Sequence, residues 1–211
     1  MTPEQKNLKT KEDYNNCNNR GRREQSLPTQ LILPERLMIF IDGENLFKFQ
    51  KEEKIVIGFE NLISFLSNKY NLIRVYYYTG IPSEKSWDKN KESKKEFIKK
   101  LNKQLNFLDS LEFNYNFEVI KKPLVFRGNK LIEKGVDVRI ASDIIWHGLS
   151  DNYDSFVLIS GDKDLMDCLI RMKDNGKKVI IANFEGKISR ELKKIADKYI
   201  NLSENLEEIK K

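Results

Sequence analysis

The apolar run Phe156-Val157-Leu158-Ile159 breaks off in Ser160-Gly161, and Asp162 and Asp164 follow with one residue between them. Apolar residues then return at helical spacing as Leu165, Met166, Leu169 and Ile170. A short continuous apolar run ended by a glycine turn reads as a buried strand, and the 3.6-residue period behind it reads as a helix. The two carboxylates therefore stand where a buried strand ends and a helix begins, the edge at which open α/β sheets bind ligands. One aspartate there needs no explanation beyond helix capping. Two of them, with a second acid-bearing strand end elsewhere, call for more.

The same pattern recurs along the chain. Leu37-Met38-Ile39-Phe40-Ile41 is the first buried strand and runs into Asp42-Gly43-Glu44-Asn45. A polar loop is expected next, then a helix with Phe59, Leu62, Ile63, Leu66 and Tyr70 on one face. Leu72 to Thr79 is β-branched and aromatic, hence a strand, closed by Gly80 and Pro82. A long helix follows, with Phe97, Leu101, Leu105 and Leu108 as its inner stripe. Phe117 to Ile120 is a further strand, and Leu124 to Ile132 reads as a hairpin turning at Gly128-Asn129. Lys134-Gly135-Val136-Asp137 opens a helix carrying Val136, Ile140, Ala141, Ile144 and Ile145. Lys177 to Ala182 is another buried strand, and Ile188, Leu192, Ile195 and Tyr199 mark a last helix. This alternation predicts an α/β fold with a mostly parallel sheet and helices on both faces.

Composition bounds the partners. The 211 residues suffice for one domain with a sizeable core. A net charge of +6 and a pI of about 9.1 suit a polyanionic partner without requiring one. No apolar run approaches the roughly 18 residues of a membrane span, and the Met1-Thr2-Pro3-Glu4 start has no apolar core, so no membrane partner and no signal peptide are expected. Cys17 and Cys168 lie in unlike settings, which argues against a disulfide or a cysteine metal site and for a reducing cytoplasm. The single histidine, His147, excludes a histidine-rich zinc site. Neither Gly-x-Gly-x-x-Gly nor Gly-x-x-x-x-Gly-Lys is present, so dinucleotide and Walker-type phosphate cradles are unsupported.

Residues 1–36 are polar and mixed in charge and are expected to form a flexible extension, with the Arg20-Gly21-Arg22-Arg23 cluster read as solvated. The folded domain is expected over residues 37–202, and residues 203–211 are expected to fray. From Lys85 to Lys103 eight lysines face three acids. Most such faces are only solvated, but Lys94, Lys95, Lys99 and Lys100 are the best candidates for phosphate contacts.

Three segments deliver acids to what this topology makes one place: Asp42 after the first strand, Asp137 near a helix start, and Asp162 with Asp164. In a doubly wound sheet the first strand lies beside the one that begins the second half, which sets Asp42 next to Asp162. Clustered carboxylates repel and raise one another's pKa unless a cation neutralises them. All-oxygen ligation selects Mg²⁺ or Mn²⁺, and such an ion can activate water and hold a phosphodiester.

The blocks Ile39-Phe40-Ile41-Asp42-Gly43-Glu44-Asn45-Leu46, Lys134-Gly135-Val136-Asp137-Val138 and Leu158-Ile159-Ser160-Gly161-Asp162-Lys163-Asp164 resemble, in order, the three signature blocks of the NYN domain family, and within it the LabA-like proteins. That family belongs to the PIN-like ribonucleases. The resemblance implies a three-layer PIN-like, Rossmannoid fold and a Mg²⁺- or Mn²⁺-dependent endoribonuclease acting on RNA, with single-stranded DNA and a homodimer left open. It implies that Asp42, Asp137, Asp162 and Asp164 form an acidic pocket able to hold the metal. Asn45 would orient a carboxylate or water, Ser160, the small hydroxyl before the turn, would contact the substrate, and Lys134 would meet a substrate phosphate. Asp143 also matches, but six residues from Asp137 is about 240° around a helix, outside the pocket. Glu44 has no assignment.

A non-catalytic RNA-binding module of the same fold is the main rival, since a fold guarantees no turnover. The complete set of four aspartates favours chemistry. A phosphoacceptor receiver would need an aspartate where Lys121-Lys122-Pro123 stands, and a haloacid-dehalogenase-like phosphatase would want Asp-x-Asp where the chain has Asp42-Gly43-Glu44.

Overall fold

The computed structural model describes residues 33–83, 86–88, 90–127 and 130–211. Residues 1–32, Glu84, Lys85, Lys89 and Gly128-Asn129, where the hairpin turn is expected, lie outside them. In chain order the elements are β1 (Arg36–Asp42), α1 (Gly43–Glu53), α2 (Phe59–Ser67), β2 (Asn71–Ile81), α3 (Lys94–Tyr115), β3 (Glu118–Arg127) and β4 (Lys130–Glu133). They continue as α4 (Val136–Leu149), β5 (Ser155–Ile159), α5 (Met166–Asp174), β6 (Lys178–Asn183), α6 (Arg190–Ile195), β7 (Lys198–Asn201) and α7 (Leu206–Ile209).

The strands form one sheet in the order β4-β3-β2-β1-β5-β6-β7, parallel throughout except for β4, which runs antiparallel to β3. Strand β1 is central, and its neighbour across the point where the order reverses is β5, with Ile41 opposite Ile159. Residue parity divides the sheet into two faces, as the two-residue period of a strand demands. Leu37, Ile39, Ile41, Tyr77 and Ile159 pack towards α1, α2, α3 and α7, and Met38, Phe40, Tyr78, Phe156 and Leu158 pack towards α4, α5 and α6. The central strands are buried on both sides, which is why their sequences run apolar without alternation. The expected three-layer α/β architecture is the observed one.

Several local expectations are corrected. The polar loop expected after Asn45 is largely α1, whose Leu46 and Phe49 are buried three residues apart beneath a charged outer face. The expected strand and the first arm of the expected hairpin join into one continuous β3, and β4 pairs antiparallel with it as the second arm. Pro123 is tolerated because pairing passes there from β2, which ends at Ile81↔Pro123, to β4, which begins at Leu124↔Glu133. The long basic helix begins at Lys94 rather than near Lys85, because Ser93 and Glu96 form a reciprocal capping box. The last expected helix stops at Ile195, and Tyr199 belongs to β7, where Asp197 accepts from Val179 N at 2.9 Å and starts the pairing with β6.

Both expected domain edges also shift. Glu35 and Arg36 belong to the fold: Arg36 N and Nε both donate to Asp154 Oδ2, and Ser155 Oγ donates to Glu35 at 2.7 Å. The C-terminal end does not fray. Ile209 is fully buried, and Lys210 pairs with Ile57 while Lys211 N donates to Val56 O. Burying one such side chain contributes about 1.5–3 kcal/mol, enough to hold a short segment whose backbone is also paired. Among the described residues no helix is long and apolar enough to cross a membrane.

Candidate active site

Asp42 is the last residue of β1 and the N-cap of α1, and it is 4% exposed. Its Oδ1 accepts from Asn45 N at 3.1 Å. Its Oδ2 accepts from Asn45 Nδ2 at 2.8 Å and from Ser160 Oγ at 3.0 Å. Three donors thus fix a nearly buried carboxylate in one orientation. Ser160 belongs to the turn after β5 and is wholly buried; its oxygen also accepts from Asp162 N at 3.2 Å. One hydroxyl therefore ties together the two acidic strand ends. A substrate-contacting Ser160 is corrected on that ground, because its hydroxyl is enclosed.

Asp162 caps the 3₁₀ turn Lys163–Leu165 by accepting from Asp164 N at 2.9 Å. This turn is held close by Gly161, where a Cβ would stand 1.9 Å from Lys187 O, so the backbone of the segment after β6 occupies the side-chain space. Gly43 has a similar role at the other strand end, with a Cβ there falling 2.5 Å from the Tyr77 ring. Asp137 is the second residue of α4, after Gly135 in the left-handed region at φ 78°. No donor among the described residues bonds its carboxylate. Its pKa is raised above the usual carboxylate range, first by burial and then by the charges of Asp162, Asp42, Asp164 and Glu44.

Asp42, Asp137 and Asp162 line one cavity of about 770 Å³, within the usual ~300–1,000 Å³ of ligand sites. Asp164 does not line it. Its side chain is exposed, and it acts on Asp137 only through its field. The expected four-aspartate wall is thus three aspartates with a fourth outside. Glu44, unassigned by the sequence reading, lines the cavity and pairs with Lys48 at 2.8 Å.

Lys100 lines the same cavity, whereas Lys95 and Lys99 face a shallow depression on the outer side of α3 and Lys94 lines neither. Lys134 is exposed and not on the cavity wall. Lys103, Gln104, Tyr77 and Thr79 also face the cavity. Lys103 belongs to the basic run of the sequence, whereas the other three carry no local signal, because their side depends on how α3 and β2 dock. Asp143 stands apart, as expected: Tyr78 Oη donates to it at 3.0 Å and Arg139 Nε at 2.8 Å, fastening α4 to β2.

The donors at the acidic end are all oxygens and carry uncompensated negative charge, which suits a hard divalent cation. Among the described residues no three acids already stand at the spacing of one shared ion. Mg²⁺ asks for no such triad, since it is usually held by one or two carboxylates and keeps several waters.

The sequence profile of the NYN domain matches residues 36–204. The chain is 26% identical over 175 residues to the Low amplitude and bright protein LabA of Synechococcus elongatus, covering 81% of this chain and 86% of that protein. Its fold is similar to the crystal structure of a protein of unknown function from Vibrio parahaemolyticus, with a TM-score of 0.62 at 18% identity over 86% of this chain and 99% of that one.

Proposed function

The chain belongs to the NYN domain family, a family of PIN-like nucleases, and from that premise we propose that it is a divalent-metal-dependent ribonuclease whose site is the acidic end of the cavity. The observation that carries the proposal is the convergence of Asp42, Asp137 and Asp162, from three separate segments, on one cavity that Lys100 and Lys103 also line. Capping alone would account for each acid singly but not for their shared destination.

In this reading Asp42, Asp137 and Asp162 would hold a Mg²⁺ or Mn²⁺ ion, directly or through its waters, with Asp164 adding to the field. When bound, the ion polarises a phosphate oxygen and lowers the pKa of a bound water. The chain's own groups supply the rest. Asn45 and Ser160 hold the Asp42 carboxylate in register with Asp162. The lysines on α3 meet the charge of the strand, and the cavity is large enough for a nucleotide unit beside the acids.

A non-catalytic RNA-binding module has one observation in its favour: both oxygens of Asp42 already accept hydrogen bonds within the chain, one a helix cap and the other two from side chains. Labelled RNA and DNA incubated with Mg²⁺, Mn²⁺ or EDTA separate the two readings. Cleavage that needs metal and disappears in Asp42→Asn and Asp162→Asn supports the nuclease. Binding without cleavage in any metal supports the module.

A further inference from the structure

The cavity has a second half that cleavage does not by itself require. Lys100, Lys103, Gln104, Phe107 and Leu108 all line it. They stand at i, i+3, i+4, i+7 and i+8, so a single stripe of α3 forms this wall. The stripe runs from basic to aromatic over about 10 Å of helix. From α1, Phe47 lines the same cavity. Phe47 is 62% exposed and Phe107 is 39% exposed, although the chain buries most of its large apolar side chains. Phe107 is also held in place: its ring meets the Tyr77 ring edge-on at 6.1 Å and lies 5.8 Å from the Phe59 ring. These are presented aromatic side chains, sharing one cavity with the acids and two lysines.

A ligand that satisfies all three features needs a flat apolar ring and an anionic group within one repeating unit. A nucleotide of a polynucleotide strand has both. We propose that Phe47 and Phe107 form a nucleobase subsite, with Lys100 and Lys103 receiving a flanking phosphate. The inference deepens the ribonuclease reading and rests on it for the direction of the strand towards the acids. Lys100 pairs with Glu92 at 2.6 Å, but its side chain is 74% exposed, and an exposed pair of that kind yields readily to a phosphate. A base stacked within a duplex cannot enter such a site, so the subsite takes an unpaired base.

The test measures binding in EDTA by fluorescence anisotropy on the full chain, using an oligoadenylate 8-mer, an abasic 8-mer with the same backbone, and an RNA duplex. The wild type should bind the oligoadenylate more tightly than either of the others. Phe47→Ala should weaken oligoadenylate binding roughly 5- to 150-fold and leave abasic binding unchanged. Phe107→Leu, which keeps the packing on Tyr77 apolar, should act in the same direction. Lys100→Gln with Lys103→Gln should weaken both single strands alike and flatten their salt dependence. Equal binding of the oligoadenylate and abasic strands by the wild type overturns the subsite, as does wild-type oligoadenylate binding by both phenylalanine variants. Because EDTA removes cleavage from the readout, a protein that discriminates bases but never cuts refutes the nuclease reading and leaves the subsite standing.

Discussion

Ser160→Ala tests whether the two acidic strand ends form one unit. The hydroxyl is fully buried, donates to Asp42 Oδ2 at 3.0 Å and accepts from Asp162 N at 3.2 Å. Its bond to a carboxylate belongs to the charge-assisted class, whose loss costs about 1.5–3 kcal/mol. Asp162 is half-exposed, so its N–H can turn to water and adds little. The expected loss is therefore about 2 kcal/mol, which at a typical urea m-value near 2 kcal/mol/M moves the unfolding midpoint down by about 1 M. Asn45 Nδ2 bonds the same Oδ2 at 2.8 Å. The double variant with Asn45→Ala should accordingly depart from additivity by about 0.5 kcal/mol or more. Ser142→Ala is the control: that hydroxyl caps an exposed carbonyl of α4, and its loss should stay within about 0.5 kcal/mol. Metal affinity or cleavage should fall about 10- to 100-fold in Ser160→Ala, the usual effect of removing a group that orients a ligating carboxylate. A Ser160→Ala protein with the wild-type midpoint and the wild-type magnesium response would refute the argument that this hydroxyl positions the site.

Asp162→Asn should melt higher than wild type in EDTA, because the charge of Asp162 is the largest of those opposing ionisation of Asp137. Raising the pH from the ordinary carboxylate value should reduce wild-type stability until Asp137 is ionised in the folded state too, and should do so less in the variant. Millimolar Mg²⁺ should raise the wild-type melting temperature and leave the variant nearly unchanged; identical curves for both proteins, with and without metal, would remove the metal site. The sole imidazole, His147, bridges Tyr76 Oη and Asn152 Nδ2 at 2.9 Å each, and burial lowers its pKa below the usual 6.5. The unfolded chain then binds more protons between the two values, so stability from this group should rise with pH through that window and be lost below it. A proton NMR titration of the single histidine reads the pKa directly, and a value at or above 6.5 would contradict the burial argument.

What was legible in the sequence follows from period. Apolar runs such as Leu37–Ile41 and Phe156–Ile159 are continuous only because both faces of a central parallel strand are covered, and acids just beyond such runs must lie at one edge of the sheet. Asp143 could be set apart from Asp137 by helical geometry alone, and its bonds to Tyr78 and Arg139 place it elsewhere. The capping box at Ser93 and Glu96, and the Leu46–Phe49 spacing of α1, were also present in the sequence as local signals.

The chain by itself determined the order of its elements, the pairing of strand ends that brings Asp42 beside Asp162, and the residue types available to a ligand, since each depends on local period and on connections between neighbouring elements. Tertiary structure decided which side chains face the cavity. Lys100 and Lys103 turn towards it while Lys95 and Lys99 turn away, because the docking of α3 through Phe97, Leu108 and Leu111 fixes its rotation about its own axis. Ser160 became an internal tie rather than a surface hydroxyl because Asp42, from 118 residues away, closes over it. Ile209 held the C-terminal end only because Ile57 and Val56 were there to pair with its neighbours. Rotation, enclosure and long-range pairing depend on residues remote in sequence, and no local pattern encodes them.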